Sequence, residues 1–160
     1  MPKYRKNLRL PHFDYAQYGC YFVTVCTKNQ KMIFGDVVNG NMILNHFGKM
    51  LQETLFSVLS EYPNSEIPEF IIMPNHFHFI WFNRDNVNLS IVVKKIKGRM
   101  SFLYREYHKK YNCNYEPLWQ RGFYEHIIRN DRDYMRIAEY ISNNPIKWHL
   151  DRFYCLKGLI

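Results

Sequence analysis

The chain has 160 residues, enough for one domain with a sizeable core and short appendages. An apolar share of 47% excludes a disordered chain, and 22 basic against 14 acidic residues, a net +8, points to a polyanionic partner, either nucleic acid or an anionic membrane surface. No apolar run approaches the roughly 18 residues of a transmembrane helix, no apolar stretch follows the basic N-terminus, and Cys20, Cys26, Cys113 and Cys155 form neither a CxxC pair nor a dense framework. A cytoplasmic protein with reduced thiols is expected.

Residues 1–19 read as a basic, irregular arm, with Lys3, Arg5, Lys6 and Arg9 against Asp14. Tyr21 to Thr27 is a strand rich in β-branched and aromatic residues. Met32–Phe34 and Met42–Leu44 flank Asn39-Gly40, a strong hairpin-turn pair. From Phe47 the period becomes helical through Met50, Leu51, Leu55, Val58 and Leu59, with Pro63 as a nearby stop. Phe70–Met73 and Phe77–Phe82 form a second strand region. Pro74-Asn75 interrupts it, which predicts a bulge or kink.

A long helix follows, with Leu89, Val92, Val93, Ile96, Met100, Leu103 and Tyr107 on its apolar stripe. Over residues 94–110 seven basic residues, Lys94, Lys95, Lys97, Arg99, Arg105, Lys109 and Lys110, face a single acid, Glu106. A solvated surface helix would mix both signs, so this excess predicts a surface that tracks phosphates, with Tyr104, Tyr107 and Tyr111 close enough to stack on unpaired bases. Phe123–Ile128 alternates like a strand. A last helix opens at Asn130 or Asp131, buries Tyr134, Ile137, Ala138 and Ile141, and closes at Pro145. Strand, hairpin, helix, strand, helix, strand, helix is the order of an α+β sandwich, and the lack of a Gly-rich phosphate loop argues against a Rossmann or P-loop domain.

The sharpest local signal is Met73-Pro-Asn-His76-Phe-His78. Strand alternation puts His76 and His78 on one face, where two imidazoles can hold a divalent ion. An exposed polar pair is the plainer reading of H-x-H alone. The second signal is Tyr140-Ile-Ser-Asn-Asn144-Pro145, whose tyrosine and asparagine share a helix face four residues apart. Alone, it reads as an ordinary boundary tyrosine. Together the two signals combine a hydroxyl nucleophile with a metal site, the elements needed to attack a phosphodiester.

These blocks, with Leu10-Pro-His-Phe-Asp-Tyr15, Phe34-Gly35 and Leu118-Trp-Gln-Arg-Gly-Phe-Tyr-Glu-His-Ile-Ile-Arg129, resemble the HUH single-tyrosine transposases, and most closely the REP-associated tyrosine transposases, over nearly the whole chain. The resemblance implies a ferredoxin-like α+β sandwich, a central antiparallel sheet with helices packed on it. It implies a basic arm over 1–19, the transposase domain over 20–150 and a tail over 151–160. It also implies that His76, His78 and Asn144 hold Mg²⁺ or Mn²⁺ and that Tyr140 is the nucleophile. The activity would be single-strand DNA cleavage and rejoining through a 5′-phosphotyrosine. The expected partner is single-stranded DNA with a hairpin or repeat, bound by a monomer or homodimer, with no membrane.

Contacts to that DNA are expected from Lys94, Lys95, Lys97, Arg99, Arg105, Arg121, Arg5 and Lys6. Trp119 and Gln120 either shape the DNA groove or, for Trp119, cap the core. His126 is more readily a hydrogen-bonded sheet residue than a site residue, and Tyr134, the rival nucleophile, is expected in the core. Two other readings stay open. One is a domesticated hairpin-binding protein with little or no catalysis. The other is a metal-dependent phosphodiesterase that uses water.

Overall fold

A computed structural model describes residues 13–154. The first twelve residues, including the expected DNA contacts Arg5 and Lys6, and residues 155–160 lie outside the described residues. Strands β1 (Gly19–Cys26), β4 (Phe70–Met73), β5 (His76–Asn83) and β6 (Tyr124–Ile128) form one sheet in the order β4-β5-β1-β6, with every pair antiparallel. A separate hairpin, β2 (Gly35–Val38) and β3 (Asn41–Leu44), follows β1. Three helices complete the chain: α1 (His46–Leu59), α2 (Leu89–Lys110) and α3 (Asp131–Asn143). The expected ferredoxin-like arrangement is present, with the hairpin inserted between β1 and α1.

Strand alternation divides the sheet chemically. Tyr21, Val23 and Val25 of β1, Ile72 of β4 and Phe77, Phe79 and Trp81 of β5 point to one face. Leu51, Leu55 and Val58 of α1 and Leu89, Val92, Val93, Ile96 and Met100 of α2 cover them, so one contiguous core fills that side. Full burial of each large side chain there contributes about 1.5–3 kcal/mol. The opposite face carries Phe22, Thr24, His76, His78 and Ile80, and α3 lies over part of it through Ile137 and Ile141. Both faces of β5 are therefore buried, which explains why its sequence reads as a nearly continuous apolar run.

Two local expectations change. Pro74-Asn75 is the turn of a tight hairpin, with Met73 paired to His76, and makes neither a bulge nor a kink. The Pro74 carbonyl accepts the backbone N–H groups of Ile33 (2.7 Å) and Phe34 (3.0 Å), which tucks the turn under the chain that follows β1. The first strand of the small hairpin begins after Phe34, which enters the main core instead. Its turn is as expected, since Asn39 (φ 50°) and Gly40 (φ 73°) both take the left-handed conformation that such a turn needs.

The apolar stripe of α2 also departs from a straight line. Leu103 is exposed, and Tyr104 and Tyr107 pack around Phe47 of α1 at centroid distances of 4.9 Å each. Those two rings are committed to helix packing and are not presented for bases. Tyr111, on the last turn, is exposed and rests against Tyr107 at 4.6 Å.

Candidate active site

His76 and His78 stand side by side on β5, fully buried under the segment that follows α3. Their Nε2 atoms are 3.0 Å apart. The far nitrogens are each held. His76 Nδ1 lies 2.8 Å from Asn75 Oδ1, and His78 Nδ1 lies 2.8 Å from the Thr24 hydroxyl on the neighbouring strand. The Asn75 amide donates to the carbonyls of Gln30 and Phe153, which fixes its oxygen toward His76. His76 must then donate through Nδ1, and its Nε2 carries a lone pair into the site. The Thr24 hydroxyl rotates, so it serves either tautomer of His78.

Aromatic rings wall the pair in. Phe22 stacks on His78 at 5.2 Å, and Phe153 and Trp148 lie 4.6 and 5.8 Å from His76. Burial pushes the His76 imidazole down to about 4, against an upward pull from the Asp151 carboxylate. The His78 imidazole is held well below its ordinary value by burial, with the neighbouring His76 and Arg152 adding to the effect. Both rings are thus neutral at physiological pH and have lone pairs to offer.

α3 brings the second half of the site. Asn130 caps it, its side chain accepting the Asp133 N–H at 2.8 Å, and Ile137 and Ile141 anchor it to the sheet. That rotation presents Tyr140, 42% exposed, with its hydroxyl 3.4 Å from His78 Nε2 and 3.3 Å from Asp151 Oδ2. Burial and the Asp151 charge raise the Tyr140 pKa, so the hydroxyl keeps its proton and donates. Asn144, one turn on, is buried. Its Nδ2 donates to Asp151 Oδ2 at 3.0 Å, and its Oδ1 has no hydrogen-bond partner. Tyr140, Asn144 and Asp151 line an open cleft of about 320 Å³ whose rim carries Arg136 and Lys147.

His76, His78, Tyr140 and Asn144 are therefore brought together. Tyr134 instead packs with Phe22, Ile80, Ile128 and Ile137 in a small cluster. His126 shares the site face, and its Nε2 pairs with Asp133 Oδ2 at 2.6 Å at the start of α3. The basic residues of α2 lie across the sheet from the site. Among them Lys95 and Arg99 pair with Glu61, and Lys97 Nζ donates to the carbonyls of Gln120 and Gly122, both at 2.8 Å. Lys97 thus ties down a loop, and Lys94 and Arg105 are exposed. Arg121 is exposed on that loop, which bonds to the end of β1 through Gln120 N–H to the Cys26 carbonyl. Trp119 packs against Phe34 and Phe77 and donates its indole N–H to the Lys97 carbonyl, which makes it a core cap.

Residues unassigned from sequence also shape the site. Thr24 and Asn75 orient the histidines. Asp151, one residue past the expected end of the domain, has an oxygen that lies with His76 and His78 donor nitrogens in a cluster within 4.8 Å. Thr24 enters the site through the pairing of β1 with β5, and a lone aspartate after a helix has no spacing to mark it.

Two buried imidazoles and a tyrosine hydroxyl meet on the α3 face of a ferredoxin-like antiparallel sheet, which makes this a small α+β domain built around a histidine pair. Residues 16–144 match the family described as IS200-like transposases, and the chain belongs to that family. It is 34% identical to an uncharacterized protein of Haemophilus influenzae, with 94% of this chain and 93% of that one aligned. It is 28% identical to the REP-associated tyrosine transposase of Escherichia coli K12, over 83% of this chain and 70% of the relative. Among solved structures, a REP-associated tyrosine transposase bound to a REP hairpin superposes with a TM-score of 0.64 at 26% identity, covering 95% of this chain and 77% of that one. A transposase-like protein of Deinococcus radiodurans shares the fold alone, with a TM-score of 0.53 at 15% identity, over 84% of this chain and 97% of that one. Among the described residues no helix is long and apolar enough to cross a membrane.

Proposed function

We propose that this transposase-family chain cuts and rejoins single-stranded, hairpin-bearing DNA with Tyr140 as the nucleophile and with Mg²⁺ or Mn²⁺ held by His76, His78 and Asn144. The observation that carries the reading is the placement of the Tyr140 hydroxyl 3.4 Å from His78 Nε2, at the mouth of the cleft. The donor set fits such an ion. Two Nε2 atoms converge at 3.0 Å, and the buried Asn144 oxygen lacks any other partner. When bound, the ion supplies Lewis-acid polarisation of a phosphate oxygen.

The rest falls to the chain. The Tyr140 oxygen attacks phosphorus, the tyrosyl O–P bond forms, and the P–O3′ bond breaks. The phenolic proton passes to solvent in the open cleft, and the departing 3′ oxygen takes one from solvent to become a free 3′-OH. The bond energy is kept in the phosphotyrosine, so a later 3′-OH attack rejoins strands without an external energy source. Arg136 and Lys147 on the rim provide positive charge for the flanking phosphates. One chain supplies His76, His78, Tyr140 and Asn144, which supports a monomer as sufficient for cleavage. The solved REP-associated relative bound to a hairpin supports hairpin DNA as the substrate.

The test is incubation with a hairpin oligonucleotide in Mg²⁺ or Mn²⁺, followed by denaturing electrophoresis. The 3′-labelled fragment is expected to migrate with the protein and the 5′-labelled fragment to be released. Tyr140→Phe is expected to abolish the adduct and Tyr134→Phe to retain it. An adduct in Tyr140→Phe overturns the assignment. Cleavage without an adduct supports the water-dependent phosphodiesterase, and binding without cleavage supports the non-catalytic binder.

A further inference from the structure

We propose that Asp151 is a further metal ligand, adding a carboxylate oxygen to the imidazoles of His76 and His78 and the amide oxygen of Asn144. The inference rests on the metal-assisted reading above. Its first support is geometric. Donor atoms of His76, His78 and Asp151 lie within 4.8 Å of one another, and two donors on opposite sides of a Mg²⁺ ion stand about 4.2 Å apart. Small side-chain movements would bring all of them onto one ion.

The second support is how Asp151 is held. Its Oδ1 accepts the Phe153 N–H at 2.8 Å, so the segment after α3 is folded to aim the carboxylate inward. Its Oδ2 accepts the Asn144 Nδ2–H at 3.0 Å. That contact fixes the amide so that the unpartnered Asn144 Oδ1 is left for a cation. The Tyr140 contact to the same carboxylate is the longest of the three, at 3.3 Å, and is the one readily exchanged for an ion.

The third support is charge. Two neutral imidazoles and an amide carry no charge, and such a set depends on the DNA phosphate to hold a hard dication. A carboxylate makes the set anionic and holds the ion before DNA arrives. Asp151 lies in the segment after α3, beyond residues 16–144 that match the family.

The experiment is titration of the full-length, DNA-free protein with Mn²⁺, followed by electron paramagnetic resonance of the free ion and by water-proton relaxation of the bound ion. Asp151→Asn, with an unchanged circular dichroism spectrum, is expected to weaken Mn²⁺ binding about tenfold or more and to raise the number of coordinated waters. Asp151→Glu is expected to recover part of the affinity. Glu139→Gln, which removes an equal charge from the same cleft, is expected to stay within about twofold of wild type. Loss of affinity in His76→Ala with unchanged binding in Asp151→Asn overturns the role of Asp151 and leaves the histidine site standing. Unchanged binding in both variants overturns the histidine metal site as well. Equal weakening in Asp151→Asn and Glu139→Gln reduces the effect to general electrostatics and overturns the ligand assignment.

Discussion

His76 and His78 are buried bases whose neutrality is set by their surroundings, and that makes a prediction about the metal-free protein. An imidazole in the unfolded chain titrates near 6.5. In the folded protein burial pulls His76 down to about 4 and holds His78 well below its ordinary value. The unfolded state therefore binds more protons in acid, and the contribution of these groups is fully present above about 6.5 and lost as pH falls toward 4. The Tm of the metal-free protein is expected to drop between pH 7 and pH 5 at constant ionic strength, with a shallower slope in His76→Gln. A flat profile in the wild type would contradict the buried, neutral assignment. At this scale the sequence was informative where chemistry has a spacing. H-x-H on a strand and Tyr140 with Asn144 on a helix are local patterns that survive folding. Thr24 and Asp151 reach the site only through β-pairing and through a turn after α3, which no local pattern records.

Elements position these groups, and α3 carries the greatest share because Tyr140 and Asn144 both depend on its rotation. Its start is fixed by the Asn130 cap, with Asp131 and Asp133 favourably placed near the positive end of the helix. Asn130→Ala is expected to cost about 1 kcal/mol, read as a lowered denaturation midpoint at unchanged m-value. In the first helix, Gly48 faces the backbone of Phe34, and an added Cβ would stand 2.2 Å from that carbonyl oxygen. Gly48→Ala is expected to destabilise by at least 1–3 kcal/mol, as overpacking does, measured by the same unfolding curve. The three helices and the strands of the main sheet were legible from period and composition, whereas the first strand of the small hairpin lies at Gly35–Val38 and not at Met32–Phe34. At Pro74-Asn75 a proline between two apolar runs signals either an interrupted strand or a turn, and only the pairing of Met73 with His76 decides for the turn.

For the whole molecule, the sheet separates two charged regions. The basic run of α2 lies with α1 on the packed face, whereas the histidine–tyrosine site opens on the other. The composition revealed the surplus of positive charge but not its division between faces, and several of its lysines and arginines are spent on Glu61 and on the 120–122 loop. DNA contacts made by Lys94 and Arg105 would thus be made at a distance from the chemistry. Lys94→Gln with Arg105→Gln is expected to reduce the salt slope of hairpin binding by about one per lost phosphate contact and to leave the cleavage rate at saturating DNA unchanged. Arg136→Gln with Lys147→Gln is expected to slow cleavage at saturating DNA. Equal effects of both pairs on cleavage would contradict the separation of faces.

The central claim, that Tyr140 is the nucleophile, is tested most directly by mapping the protein–DNA adduct by mass spectrometry after nuclease and trypsin digestion. Arg136 lies between Tyr134 and Tyr140, so the two tyrosines fall on different tryptic peptides. The nucleotide mass is predicted on the peptide spanning residues 137–147, whose single tyrosine is Tyr140. Its appearance on the Tyr134 peptide, or on any other, would contradict the account.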